Sequence, residues 1–133
     1  MGKPDLQILC FCDAAVVENG KMTIYGVLDQ LSLETVPSAY PRFGIVMRFL
    51  GPSPTRIALR LLAPEGHAVP GDPMIEYSNI PPGTPGLQIT ANVDNLVFPV
   101  FGEYILSLIC DGELLRSIPL RIAPAAKAGE NHG

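Results

Sequence analysis

Arginines provide the most distinctive chemical groups of this sequence. Four of its nine basic residues fall in two adjacent predicted strands: Arg42, Arg48, Arg56 and Arg60. The alternation of apolar and polar residues directs all four side chains outward, and guanidinium groups match carboxylates and phosphates bidentately. The pattern predicts a basic face that binds a small ligand or an anion. The alternative is a solvated face with acidic neighbours.

No set of residues has the spacing of a catalytic or metal site. His67 and His132 lack partners at metal-ligand spacing, and nothing in the Pro-rich segment around His67 would position it as a base for a nucleophile. Five aspartates near predicted strand ends lack the D-x-D spacing of a calcium loop: Asp13, Asp29, Asp72, Asp94 and Asp111. We therefore expect no enzyme, no metal and no cofactor, and we interpret the aspartates as turn residues.

Composition favours one all-β domain. The 133 residues include 13 Gly and 14 Pro, and the hydrophobic fraction of 47% argues against disorder. A net charge of −4 disfavours nucleic acid as a partner, and no apolar run is long enough for a membrane span. Cys10, Cys12 and Cys110 lie in apolar strands, which is typical of reduced thiols, although an oxidising compartment would permit a bond to Cys110. We expect a cytoplasmic protein.

Periodicity predicts the strands. A first strand from Leu6 is expected to end at Asp13. Asn19-Gly20 predicts a two-residue hairpin turn that pairs Glu18 with Lys21, because these residues readily adopt positive φ angles. Two further strands alternate in phase, and their predicted inward residues are Phe43, Ile45, Met47, Phe49, Ile57, Leu59, Leu61 and Ala63.

Several outward positions are more apolar than a solvated face requires: Val46, Leu50, Leu62, Ile105, Ile109 and Leu115. Either the long 64–85 connection covers them, or a second subunit does. Within that connection, residues 74–77 are expected to add a short edge strand.

The final hairpin, Phe98 to Ile122, poses a choice of turn. A two-residue loop at Asp111-Gly112 would mix the two faces of the hairpin, whereas a three-residue loop places most apolar residues on one face and leaves only Arg116 misplaced. Burial of each Leu or Ile stabilises by roughly 1.5–3 kcal/mol, so we predict the three-residue loop. Tyr104, near the start of the penultimate strand, is expected to bond back to upstream backbone.

Short motifs carry a resemblance that extends to about residue 123: Phe11-Cys12-Asp13, Asn19-Gly20-Lys21, Gly26-Val27-Leu28-Asp29, Pro41-Arg42-Phe43 and Gly102-Glu103-Tyr104. With these motifs the chain resembles a family of small uncharacterised bacterial proteins without an established activity. The resemblance implies a compact β-sandwich and a bacterial cytoplasmic origin.

The architecture that we predict is a single antiparallel β-sandwich of about seven to nine strands, immunoglobulin-like with Greek-key connections, over residues 1–123, followed by a flexible tail at 124–133. The function that we predict is a non-enzymatic module that binds a protein partner or a second copy of itself through a sheet face or edge.

Overall fold

The computed structural model describes residues 4–66, 69 and 73–125. Apart from a 3-10 turn at Pro64–Gly66, the regular structure of these residues consists of nine strands: β1 Leu6–Glu18, β2 Lys21–Leu28, β3 Gln30–Leu33, β4 Ser38–Phe49, β5 Ile57–Leu62, β6 Ile75–Tyr77, β7 Gln88–Phe98, β8 Gly102–Cys110 and β9 Glu113–Pro124. The all-β prediction is confirmed. Strand β6 is the edge strand expected within the long connection.

The strands form two sheets. Sheet A has the order β2-β1-β4-β7, and sheet B has the order β3-β9-β8-β5-β6. The prediction of a purely antiparallel architecture is wrong, because β3 pairs with β9 in parallel. Sheet B also curls into a half-barrel, so an immunoglobulin-like sandwich is not confirmed.

The core lies between the inner faces of the two sheets. The inward positions predicted for β4 are fully buried, and those predicted for β5 are buried or packed against the core. Aromatic rings join the sheets, since Phe98 contacts Tyr104 edge-on with ring centroids 5.2 Å apart. The Tyr104 hydroxyl donates to the Val100 carbonyl at 2.7 Å, which confirms the predicted bond to upstream backbone.

The β1–β2 hairpin has the predicted turn and register. Glu18 pairs with Lys21, and Asn19 and Gly20 have positive φ angles of 52° and 74°. The sequence predicts that the first strand ends at Asp13. This prediction is wrong, because β1 continues to Glu18. Instead, the backbone bends at Gly26, whose φ is 65°, and the Asp13 side chain fills the space beside it.

The β8–β9 hairpin has a two-residue loop, so the predicted three-residue loop is wrong. Cys110 pairs with Glu113, and Asp111 and Gly112 both have positive φ angles. The extra residue lies instead in β9, where a bulge at Leu115 shifts the register before Leu108 pairs with Arg116. Leu115 packs against the core and Arg116 is exposed, so the bulge directs the apolar residue inward.

The C-terminal strand ends close to the predicted domain boundary. Strand β9 extends to Pro124, and the Ala125 amide donates to the Leu33 carbonyl at 2.8 Å. The remaining predicted tail, residues 126–133, lies outside the described residues.

Candidate functional site

The four predicted arginines do not share one face. Arg42 and Arg48 belong to β4 in sheet A, whereas Arg60 lies on β5 in sheet B and Arg56 immediately precedes that strand. The expectation of adjacent strands is wrong because the Gly51–Thr55 turn carries the chain from one sheet to the other. The structure therefore places two of the arginines in sheet A and two at β5 of sheet B, and the four do not form one face.

Each of the four arginines interacts with a neighbouring group. The Arg42 Nε donates to the Asp94 carboxylate at 2.6 Å, and the Arg56 guanidinium lies 3.9 Å from Glu76. Arg48 donates to the Gln7 side chain. Arg42, Asp94, Arg56 and Glu76 are exposed, and such surface pairs contribute little to stability. The arrangement corresponds to the solvated alternative more closely than to one basic face.

A cleft of about 480 Å³ opens where three loops and the N-terminal segment meet at one end of the two sheets. Its lining comes from the β4–β5 loop, the β6–β7 loop, the β8–β9 turn and Pro4. The lining residues are Pro4, Pro52, Ser53, Thr55, Pro82, Gly83 and Asp111. Clefts of this size are typical of small-molecule sites.

Within the part of the chain that the structure describes, Asp111 is the one charged residue that lines this cleft. Its Oδ1 accepts hydrogen bonds from the Thr55 amide at 3.0 Å, the Thr55 hydroxyl at 2.6 Å and the Arg56 amide at 2.9 Å. The Thr55 hydroxyl contributes most to lowering the pKa of Asp111, and the nearby Arg56 charge adds to this effect. The network joins the β4–β5 loop to the β8–β9 turn and keeps Asp111 ionised.

Ser53 fixes the opposite wall of the cleft. It is buried, its hydroxyl donates to the Pro81 carbonyl at 2.9 Å, and it accepts from the Thr84 amide at 3.1 Å. The Ile80 amide also donates to the Thr55 carbonyl at 3.1 Å. Hydrogen bonds thus connect the β4–β5 loop to the β6–β7 loop.

The outer face of sheet B is a second candidate surface. Two rows of apolar residues flank a polar row there. Leu62, Ile105 and Pro119 form one apolar row, and Ala58, Ile109 and Leu114 form the other. The polar row between them consists of Arg60, Ser107 and Ser117. The hydroxyl oxygens of the two serines are 3.2 Å apart. Leu62 is 50% exposed and Leu114 is 65% exposed.

A family model described as Family of unknown function (DUF6941) matches residues 7–123. The chain belongs to this family. No curated protein and no solved structure matches the chain. Membership confirms that the chain belongs to a family of unknown function, as the sequence motifs predict. It does not identify any site residue.

Other predicted groups do not assemble into a site. Among residues 4–66, 69 and 73–125, no cluster of three or more His, Cys, Asp or Glu side chains is placed to hold a metal ion. His67, His132 and Asp72 lie outside the described residues. The three cysteines are free, and burial raises the pKa of each thiol, that of Cys110 to about 11.

No helix within the described part of the chain has the length and hydrophobicity to cross a membrane.

The sequence alone does not group the residues that line the cleft. It indicates Asp111 only as a turn residue, and Ser53 and Thr55 only as part of the Gly51–Thr55 turn. A local signal exists, since each of the three loops contains Pro or Gly next to a Ser, Thr or Asp. It does not reveal which loops meet, because that depends on how the two sheets stack.

Proposed function

We propose that the protein is a non-enzymatic interaction module that pairs with a second copy of itself through the outer face of sheet B. The observation that supports this proposal is the exposure of Leu62 and Leu114 on a face where Ile105 and Ile109 lie between them. Apolar side chains in neighbouring strands form a contiguous patch, which is the usual mark of an interaction surface.

The pattern of rows suits a two-fold interface. A two-fold axis along β8 would place β5 of one copy over β9 of the other. Each apolar row would then meet an apolar row, with Leu62 over Pro119 of the second copy and Ala58 over Leu114. Self-complementarity of this kind is what an isologous dimer requires.

The polar row is also compatible with this arrangement. The same axis brings Arg60 of one copy over Ser117 of the other, where a guanidinium can donate to the hydroxyl. No arginine faces another arginine across the axis, so the pairing avoids like-charge repulsion. Sheet twist would rotate the two faces by about 30° relative to one another.

Charge substitution at the two exposed leucines tests the proposal. We expect the wild-type protein to show a dimer mass by light scattering at high concentration. The double variant Leu62→Glu with Leu114→Glu should be a monomer, because burying these carboxylates at an interface costs much more than the lost apolar contact.

The matched control carries the same two charges elsewhere. Leu50 and Val27 are 48% and 68% exposed and lie outside the sheet B face, so Leu50→Glu with Val27→Glu should leave the dimer intact. Folding of both variants is checked by circular dichroism. A monomeric wild-type protein at all accessible concentrations would refute the proposal.

The proposal includes a bacterial cytoplasmic setting. The free thiols of Cys10, Cys12 and Cys110 support it, since reduced cysteines are usual in that compartment.

A further inference from the structure

We propose that the cleft around Asp111 binds an organic cation, in which an ammonium or guanidinium group is attached to a short apolar body. Asp111 would act as the counter-ion, and the proline rings would contact the apolar body. None of the residues that line the cleft belongs to the apolar rows of the sheet B face, although Asp111 also borders a depression with Ala58 and Ile109 of that face. Ligand binding in the cleft does not depend on self-association.

The two oxygens of the Asp111 carboxylate differ in their surroundings. Oδ1 receives all three hydrogen bonds from Thr55 and Arg56, so the protein fixes the position of the carboxylate. Within the described part of the chain, the hydrogen bonds that the Asp111 carboxylate accepts all reach Oδ1. An oriented, ionised carboxylate with one open oxygen is a natural acceptor for a cationic donor.

Charges near the cleft favour a cation. Among the described residues, those that line it include no Lys, Arg or His. Arg56 is close enough to lower the pKa of Asp111, but its guanidinium is directed to Glu76 at 3.9 Å. Glu113 lines an adjoining depression that shares Pro4 with the cleft. Among these described residues the local charge balance is therefore negative, which disfavours an anionic ligand.

The remaining walls suit an apolar body. Pro4, Pro52 and Pro82 present rings that lack backbone N–H donors, and Gly83 leaves open space beside them. The hydroxyl of Ser53 already bonds to Pro81 and Thr84, so it makes little demand on a ligand. Apolar walls with a single charged group give specificity through the position of that charge.

Three probes of one shape separate charge from hydrophobicity: phenethylamine, 2-phenylethanol and phenylacetate. Each is titrated into the ¹⁵N-labelled protein, and the amide signals of Thr55, Arg56, Gly83 and Gly112 are followed. We expect phenethylamine to bind about tenfold more tightly than 2-phenylethanol, and phenylacetate to bind least, because only the amine gains a charge-assisted hydrogen bond. Equal binding of the amine and the alcohol would overturn the proposal.

Asp111→Asn removes the charge and leaves the turn intact. Asparagine keeps an Oδ1 acceptor for Thr55 and Arg56, and it tolerates the φ of 50° at this position. The preference for the amine should disappear in this variant. Asp29→Asn, which removes an exposed carboxylate outside the cleft, should retain the preference. Loss of the preference in Asp29→Asn as well would mean that only the net charge matters, and would refute the site.

The cation can come from a free amine or from a basic side chain in a peptide. Acetyl-Phe-Arg-amide is titrated beside phenethylamine to separate these sources. Tighter binding of the peptide assigns the cleft to a protein segment, and tighter binding of the amine assigns it to a small molecule. A failure of the cleft proposal can be told apart from a failure of the dimer proposal. Asp111→Asn should keep the dimer mass, and the double variant Leu62→Glu with Leu114→Glu should keep amine binding.

Discussion

The side-chain amide of Gln88 donates a hydrogen bond to the Gly20 carbonyl at 3.0 Å, across 68 residues of sequence. Gln88 pairs with Arg48, and Arg48 pairs with Ile8 near the start of β1. Gly20 follows the end of that strand, and an extended chain from Ile8 to Glu18 would span about 33 Å. The β1–β2 hairpin must therefore fold back over the outer face of sheet A.

This fold-back accounts for two buried residues outside the main core. Cys12 and Val46 have no exposed surface, yet they lie on the face of sheet A that is opposite the core. The long 64–85 connection was one predicted cover for Val46. The position of the hairpin tip at Gln88 shows that the hairpin reaches across this face.

Removing the Gln88 side chain should loosen the hairpin. We expect Gln88→Ala to increase the rate at which N-ethylmaleimide labels Cys12, because the contact with Gly20 is lost and the thiol becomes accessible more often. Mass spectrometry of the labelled protein measures the rate. Thr90→Ala, two residues further along the same strand and exposed, should leave it unchanged. An unaltered rate in Gln88→Ala would show that other contacts hold the hairpin.

Gly26→Ala should destabilise the protein more than Gly83→Ala. Both glycines have positive φ angles, of 65° and 75°, so an L-residue costs about 1–2 kcal/mol at either position. At Gly26 the added Cβ would also meet the Asp13 carboxylate, whereas at Gly83 it would meet open space. Urea unfolding gives both free energies. Equal losses would mean that Asp13 moves aside without cost.

Asp111 should contribute to stability against acid. Its pKa lies below the ordinary value of 3.8 in the folded protein, chiefly because of the Thr55 hydroxyl. A lowered pKa means that the stabilisation is complete above the unfolded-state value and is lost as the pH falls through the folded-state value. From about pH 5 to about pH 2, the melting temperature of the wild type should therefore fall further than that of Asp111→Asn. Parallel curves for the two proteins would contradict this prediction.

Alternation in the sequence predicts which residues face the core, and Phe43 and Ile57 are buried as expected. Alternation does not predict which sheet a strand joins. The same residues of β4 and β5 would face the core whether the two strands were neighbours in one sheet or lay in opposite sheets. The expected basic face fails for this reason. The cleft was beyond sequence reasoning too, since Asp111 and Thr55 meet only after the sheets have stacked.

The β8–β9 hairpin shows the same limit at the level of single residues. The alternation of apolar residues correctly predicts one more residue between the paired positions than a regular two-residue hairpin has, since Leu106 pairs with Ile118 and Tyr104 with Leu120. These residue pairs are the same whether the extra residue lies in the loop or in β9, so the alternation cannot distinguish the two. Local turn chemistry decided the outcome, because Asp111 and Gly112 both adopt the positive φ angles of a two-residue loop.

Deletion of Leu115 tests the role of the bulge. The deletion removes the one unpaired residue, so the Asp111-Gly112 turn and the pairing of Leu108 with Arg116 can both persist. We expect a loss of roughly 1.5–3 kcal/mol in the free energy of unfolding, because a side chain that packs against the core is removed. Leu115→Ala is the matched control, since it keeps the bulge and loses nearly the same apolar contact. Similar urea unfolding of the two variants would show that the bulge serves to place Leu115, whereas unfolding caused only by the deletion would show that β9 needs the bend itself.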